Sequence, residues 1–141
     1  MQKIKRKSQV VILALGPKGL KVLLLRTNKK RGNLWQNVTG SANKGESFTM
    51  AALREAKEET GLAYDDIIQM VQLPLAFEFD DRWGKRVYEA TFLIVMREVF
   101  KPKLDKTEHD KSMWKDCKLI KKVSYGYQTN YETYLEAMKV C

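Results

Sequence analysis

One helix-forming segment stands inside a chain whose other periodic segments are mostly strands, and that contrast limits the architecture most. Ser47–Thr60 carries Met50, Leu53 and Ala56 at helical spacing, with Ser47 suited to the N-cap and Gly61 to the position that stops the helix. Ahead of it, Ser8–Leu15 and Lys21–Thr27 are apolar, β-branched-rich runs joined by Gly16-Pro17-Lys18-Gly19, which reads as a hairpin. A basic loop, Asn28 to Asn33, leads into a short strand around Trp35–Thr39. Behind the helix, Ile67–Phe79 and Arg86–Glu98 read as two long strands joined through Asp80 to Lys85. A lysine-rich loop, Lys101 to Lys111, precedes a short strand near Met113–Cys117. In the closing helix Thr129 and Glu132 have the spacing of a capping box, and Tyr131, Tyr134, Leu135 and Met138 share one face. Strands interleaved with two helices predict an α/β (α+β) sandwich.

The 141 residues fit one domain, spanning 1–141, with no repeat, linker or low-complexity tract. Hydrophobic residues at 44% and charged residues at 30% exclude a disordered chain. Basic residues precede the apolar run Val10–Leu15, but that run is too short for a secretory h-region, and no stretch approaches the ~20 apolar residues of a membrane span. Cys117 and Cys141 supply neither a disulfide framework nor a CxxC metal motif, so a cytoplasmic protein without a membrane partner is expected. The net charge of +9 favours anionic partners. Its lysines also serve solubility, and no RNP motif, zinc finger or other DNA-binding motif accompanies them.

The acids are unevenly placed. In this basic protein the segment 46–81 holds nine of the 17. Glu55, Glu58 and Glu59 stand at i, i+3 and i+4, one turn apart on one helix face, where like charges repel. Read from the residues alone, this row is either a solvated acidic face, with Arg54 and Glu58 a simple ion pair, or a site for a hard divalent cation.

Gly40, five residues, Glu46, seven residues, then Arg54-Glu55, Ala56, Lys57, Glu58-Glu59, Thr60, Gly61, Leu62 resembles the whole signature of the Nudix hydrolases, over 40–62. With seven fixed positions at ~7% usage each, a chance match is on the order of one in a million. The resemblance implies a Nudix α/β/α sandwich with a mixed sheet between helices. It also implies hydrolysis of a nucleoside diphosphate linked to another moiety, assisted by Mg²⁺ or Mn²⁺. Glu55, Glu58 and Glu59 would be metal ligands with the Gly40 carbonyl, Arg54 would orient Glu55, and Glu46 would support that arrangement from behind. A carboxylate must take a proton from the attacking water, with Glu55 the first candidate and Glu108 the second.

Flanking residues carry the resemblance further. Leu34-Trp35-Gln36-Asn37-Val38-Thr39-Gly40-Ser41, Thr107-Glu108-His109 with Trp114, and Thr129-Asn130 are similar to the dihydroneopterin triphosphate pyrophosphatase branch, which also cleaves dATP and other nucleoside triphosphates. That likeness implies Glu108 as a further ligand. It implies substrate contacts from Lys5, Arg26, Thr39, Phe77, Glu78, Phe79, Asp80 and Thr129. The loop after Phe79 is shorter than in that branch, and the Lys29–Arg31 loop is longer and more basic. Core packing is the alternative for Trp35 and for one of Phe77 and Phe79, plain exposure for Glu108, and a surface or hydrogen-bonded role for His109. An RNA 5′ end is the less favoured partner, and ADP-ribose or nucleotide-sugar hydrolysis a further alternative. A binding module without turnover is disfavoured, because no carboxylate of the signature is missing.

Overall fold

A computed structural model describes residues 3–141. Seven strands form one mixed sheet between two helices: β1 (Lys5–Gly16), β2 (Gly19–Thr27), β3 (Trp35–Gln36), β4 (Val38–Ser41), α1 (Phe48–Thr60), β5 (Ile67–Asp80), β6 (Arg86–Met96), β7 (His109–Asp116) and α2 (Gln128–Met138). The main path runs β3-β2-β1-β6-β5, with β4 paired to β1 and β7 to β2. The first two strands make the expected hairpin. β1 then runs parallel to β6 from Lys5↔Val87 to Ala14↔Met96.

β1 shares its other edge between two partners. Leu13 to Gly16 pair with β2, whereas Lys7 to Val10 pair with β4. This handover is why the expected single strand at Trp35–Thr39 is two short ones: Trp35–Gln36 stays with β2, and Val38–Ser41 crosses to β1. It sets Gly40 opposite Ser8, under the start of α1.

Period-2 alternation divides the core between the two sheet faces. Val10, Ile12, Ala14, Leu23, Leu25, Phe92 and Ile94 pack under α1 with Ala52, Ala56 and Leu62. Val11, Leu13, Val22, Leu24, Leu93 and Val95 pack under α2 with Tyr125, Tyr134 and Ala137. Small residues bring α1 close to the sheet, since Ala51, Ala52 and Ala56 are fully buried. Ser47 caps α1 by accepting the Met50 N–H at 3.1 Å, and Gly61 ends it in the left-handed region at φ 73°.

Each expected helix stripe holds except at one residue. In α1, Ala56 is buried and Leu53 packs against the core, but Met50 is 55% exposed and Ala52, Glu59 and Thr60 are buried as well, because the inward face is rotated toward small residues. In α2, Tyr134 is buried and Tyr131 and Met138 pack against the core, but Leu135 is exposed and Asn130, Thr133 and Ala137 are buried as well. The Thr129–Glu132 capping box does not form: Tyr127 is the N-cap, so Thr129 already lies within the first turn and its carbonyl accepts from Thr133 Oγ1. β7 begins earlier than expected, at His109, because the strand pairs with β2 up to Thr27. No helix among the described residues is long and apolar enough to cross a membrane.

Candidate active site

Arg54 is the hub around which the acids are arranged. Its Nε and Nη2 donate to the two oxygens of Glu46 at 2.9 Å each, Nη1 donates to Glu55 at 2.9 Å and to Glu58 at 3.0 Å, and Nη2 also reaches the Ser41 carbonyl at 2.9 Å. All five guanidinium N–H donors are thereby used. Glu46 also accepts the Asn43 N–H, and Arg54 first, then that bond, hold its carboxyl down at about 2. Glu46 therefore clamps Arg54 to the loop before α1, and Arg54 presents Glu55 and Glu58 to the far side. The Arg54–Glu58 pair that a solvated face would show is present, but within this larger network.

Gly40 leaves the space that Glu55 needs. A Cβ at position 40 would stand 2.1 Å from Glu55 Cδ and 2.4 Å from its Oε2, so the carboxylate lies against bare backbone. Next along α1, Glu59 is 2% exposed and its Oε2 has no hydrogen-bond partner. Burial, then the neighbouring carboxylates of Glu55 and Glu108, push it well above the ordinary carboxylate range, while Lys7 draws it back.

Glu108 arrives from the loop before β7, 3.8 Å from Arg31, and the charges of Glu55 and Glu58 act on it together with Asp105. It is half-buried, with a carboxylate oxygen within 4.8 Å of one of Glu59 on the helix. His109 follows it into the interior at 2% exposure, which corrects the expectation of a surface histidine while bearing out a hydrogen-bonded one. Its Nε2 lies 2.8 Å from Gln36 Nε2, and its Nδ1 points toward Glu59 Oε1 at 3.8 Å without a hydrogen-bond partner. Burial holds this imidazole neutral, with its pKa down at about 4.

These residues fit a hard divalent ion. Ligand atoms of Glu59, Glu108 and His109 lie within 4.8 Å of one another, and two buried polar atoms of these side chains, Glu59 Oε2 and His109 Nδ1, are unpartnered. A buried carboxylate without a donor is costly unless a cation or water completes it. The donor set is dominated by carboxylate oxygen, which suits Mg²⁺ or Mn²⁺ over softer metals. One consequence is testable on stability alone. Glu59→Gln is expected to raise the melting temperature at pH 8 in EDTA, by replacing a buried carboxyl whose Oε2 has no partner, a defect worth ~1–3 kcal/mol. It should also blunt the rise in melting temperature that Mn²⁺ gives the wild type. Lower stability in EDTA would show that Glu59 is satisfied without a cation.

Strand register sorts the remaining sequence candidates. Lys5↔Val87, Lys7↔Glu89, Phe77↔Glu89, Phe79↔Val87 and Gln9↔Thr39 are direct neighbours, so Lys5, Thr39, Phe77 and Phe79 share one face, the α2 side. Glu78 and Asp80 point to the other face and pair with Arg86 at 3.4 and 3.5 Å. Arg26 is held by Asp110 through two 2.9 Å bonds. Trp35 packs against the apolar cluster under α2, the structural alternative for that residue. Glu89 escaped the sequence reading, although a charge at an inward position of the apolar stretch Val87–Met96 is itself a signal.

Comparison with known proteins gives the family and agrees with the fold. The NUDIX domain family model matches residues 5–134. Among solved structures, the fold is similar to an E. coli dihydroneopterin triphosphate pyrophosphohydrolase (TM-score 0.77, 22% identity, covering 98% of this chain and 99% of that one). It is also similar to a C. elegans Ap4A hydrolase (TM-score 0.75, 17% identity, 98% and 100%). A third likeness is to the NUDIX domain of Shewanella oneidensis NrtR complexed with ADP ribose (TM-score 0.78, 16% identity, 99% and 90%). At these identities the likenesses establish the fold and single out no one substrate. A sequence match to an octanoyltransferase of Myxococcus xanthus, 47% identical over 55 residues, covers 39% of this chain and 15% of that protein's length. A family model spanning nearly the whole chain, residues 5–134, makes this protein a member of the NUDIX domain family.

Proposed function

We propose that the protein is a divalent-metal-dependent pyrophosphohydrolase that cleaves a nucleoside or pterin triphosphate to the monophosphate and pyrophosphate. The observation that carries this reading is the convergence of Glu55, Glu58, Glu59 and Glu108 beside Gly40, organised by Arg54, with two buried polar atoms left unpartnered. Glu55, Glu58, Glu59, Glu108 and the Gly40 carbonyl would hold Mg²⁺ or Mn²⁺. The chemistry supplied by the bound ion is Lewis acidity toward a phosphoryl oxygen and toward the attacking water.

The chain's own residues do the rest. Glu55, fixed by Arg54, takes the proton of the attacking water, with Glu108 as the alternative base because it lies opposite on a separate loop. Lys5 and Lys7 stand where a polyphosphate would meet the sheet, and their charge favours the anion before and after cleavage. Thr39, Phe77 and Phe79 border the same face, with Thr129 in the first turn of α2. Arg26, Glu78 and Asp80 have protein partners already, so their contribution to substrate is by way of those pairs.

A second reading has an observation of its own. An open cleft of about 380 Å³ is lined by Lys3, Lys5, Arg6, Lys44 and Lys85 with no acid among its walls, which suits the phosphate chain of an RNA 5′ end. Products from dihydroneopterin triphosphate, the four dNTPs, 5′-triphosphate RNA and ADP-ribose with Mg²⁺, separated by chromatography, decide between them. Pyrophosphate with a monophosphate from the pterin or a dNTP is the expected result. Turnover confined to RNA or ADP-ribose would keep the metal site and overturn the small-triphosphate assignment.

A further inference from the structure

A second buried carboxylate, separate from the metal centre, has no role in the chemistry above. Glu89 lies in β6 at 4% exposure, in a register where Leu93 and Val95 are core residues. A single donor reaches it among the described residues, Gln9 Nε2 at 2.9 Å from Oε1. Gln9 is itself held through its Oε1 by Asn37 Nδ2 at 2.9 Å, and the Asn37 backbone N–H donates to Asn130 Oδ1 at 2.7 Å. This chain of amides fixes one oxygen of Glu89 and leaves Oε2 without a hydrogen bond from the described residues. A core selected for packing alone would not retain a carboxylate so placed.

The residues around Glu89 on its sheet face follow from the strand register. Lys7 and Phe77 are its direct neighbours on β1 and β5, and Lys5, Val87 and Phe79 form the next row. The apolar cluster under α2 starts at Val11 and Leu93, so it stops short of these residues. Phe77 and Phe79 are half-buried and keep part of each ring free. Lys7 is the neighbour of Glu89 across β1 and β6, its charge acts on Glu59 as well as on Glu89, and it forms an ion pair with neither among the described residues. A molecule with phosphates at the metal centre would pass Lys7 and bring its ring to Glu89.

We propose that Glu89 selects the ring of the substrate, accepting the adjacent N–H and exocyclic NH₂ of a 2-amino-4-oxopyrimidine edge, with Phe77 and Phe79 against the ring. Guanine and pterins carry that edge. Adenine and cytosine place an acceptor where the carboxylate needs a donor, and thymine flanks its one N–H with carbonyls, so all three are disfavoured. The assignment rests on the pyrophosphohydrolase reading for its kinetic test and not for its binding test.

Wild type and Glu89→Gln are to be compared for kcat/KM on dGTP, dihydroneopterin triphosphate and dATP with Mg²⁺. Wild type is expected to favour the first two, and their relative rates show which source of the ring it prefers. In Glu89→Gln the dGTP-to-dATP ratio is expected to fall about ten- to a hundredfold, through KM more than kcat. A wild-type preference for dATP, or an equal loss on all three substrates, overturns the assignment. If the variant fails to fold, calorimetry of GMP and AMP with the wild type decides: tighter GMP binding supports Glu89 as the selector, and equal or tighter AMP binding refutes it. Absence of pyrophosphate from every triphosphate would remove the pyrophosphohydrolase reading, while the GMP and AMP titrations still settle Glu89.

Discussion

Gly40→Ala is expected to lower kcat/KM by roughly 10²-fold or more while the protein remains folded. The added methyl group would stand 2.1 Å from Glu55 Cδ, well inside van der Waals contact, so either β4 or the Glu55 side chain must move. β4 is held by four register pairs with β1, from Lys7↔Ser41 to Val10↔Val38, and the side chain is the softer of the two. Glu55 then leaves the position in which Arg54 Nη1 holds it at 2.9 Å. A displacement of about 1 Å at a catalytic group suffices for a loss of this size. Circular dichroism should show native helix and sheet with a modest fall in melting temperature. Retained turnover would mean that Glu55 works from some other rotamer, and that Gly40 serves the strand alone.

Glu58→Gln is expected to reduce turnover by about 10²–10³-fold, comparable to the loss of one preorganised electrostatic partner at other active sites. The substitution removes charge and keeps shape. Glu58 is 57% exposed and touches Arg54 alone among the charged groups paired to it, so a solvated helix face would tolerate the change. Arg54 keeps Glu46, Glu55 and the Ser41 carbonyl, and the fold should lose little stability. The accompanying readout is Mn²⁺ affinity by electron paramagnetic resonance, which should weaken in step with activity. Near-normal turnover and affinity would place the metal elsewhere.

Much of this site could be read from the chain because its key features are local. Glu55, Glu58 and Glu59 lie within one helical turn, and Gly40, Glu46 and Arg54 stand at fixed offsets in the loop and helix around them. The hairpin and the two long strands were legible for the same reason, since each follows from an apolar run and the turn that ends it. What escaped depends on tertiary placement. The split of Trp35–Ser41 between β2 and β1 is decided by which strand edge is vacant, and no local pattern encodes that. The burial of His109 follows from the extension of β7 along β2 to Thr27. Within the α1 stripe Met50 alone is misplaced, because alanine carries a weak hydrophobic signal, yet close packing on the sheet favours it over Met50. Lys7 acquires meaning only once β6 is laid parallel to β1, which puts Glu89 beside it.

The most direct measurement is the phosphorus NMR spectrum of dGTP incubated with the enzyme in ¹⁸O-water, with Mg²⁺ and with EDTA. Pyrophosphate and dGMP should appear with Mg²⁺, and nothing should change with EDTA. Orthophosphate with dGDP, or hydrolysis that persists in EDTA, would contradict a metal-assisted pyrophosphohydrolase built on Glu55, Glu58, Glu59 and Glu108.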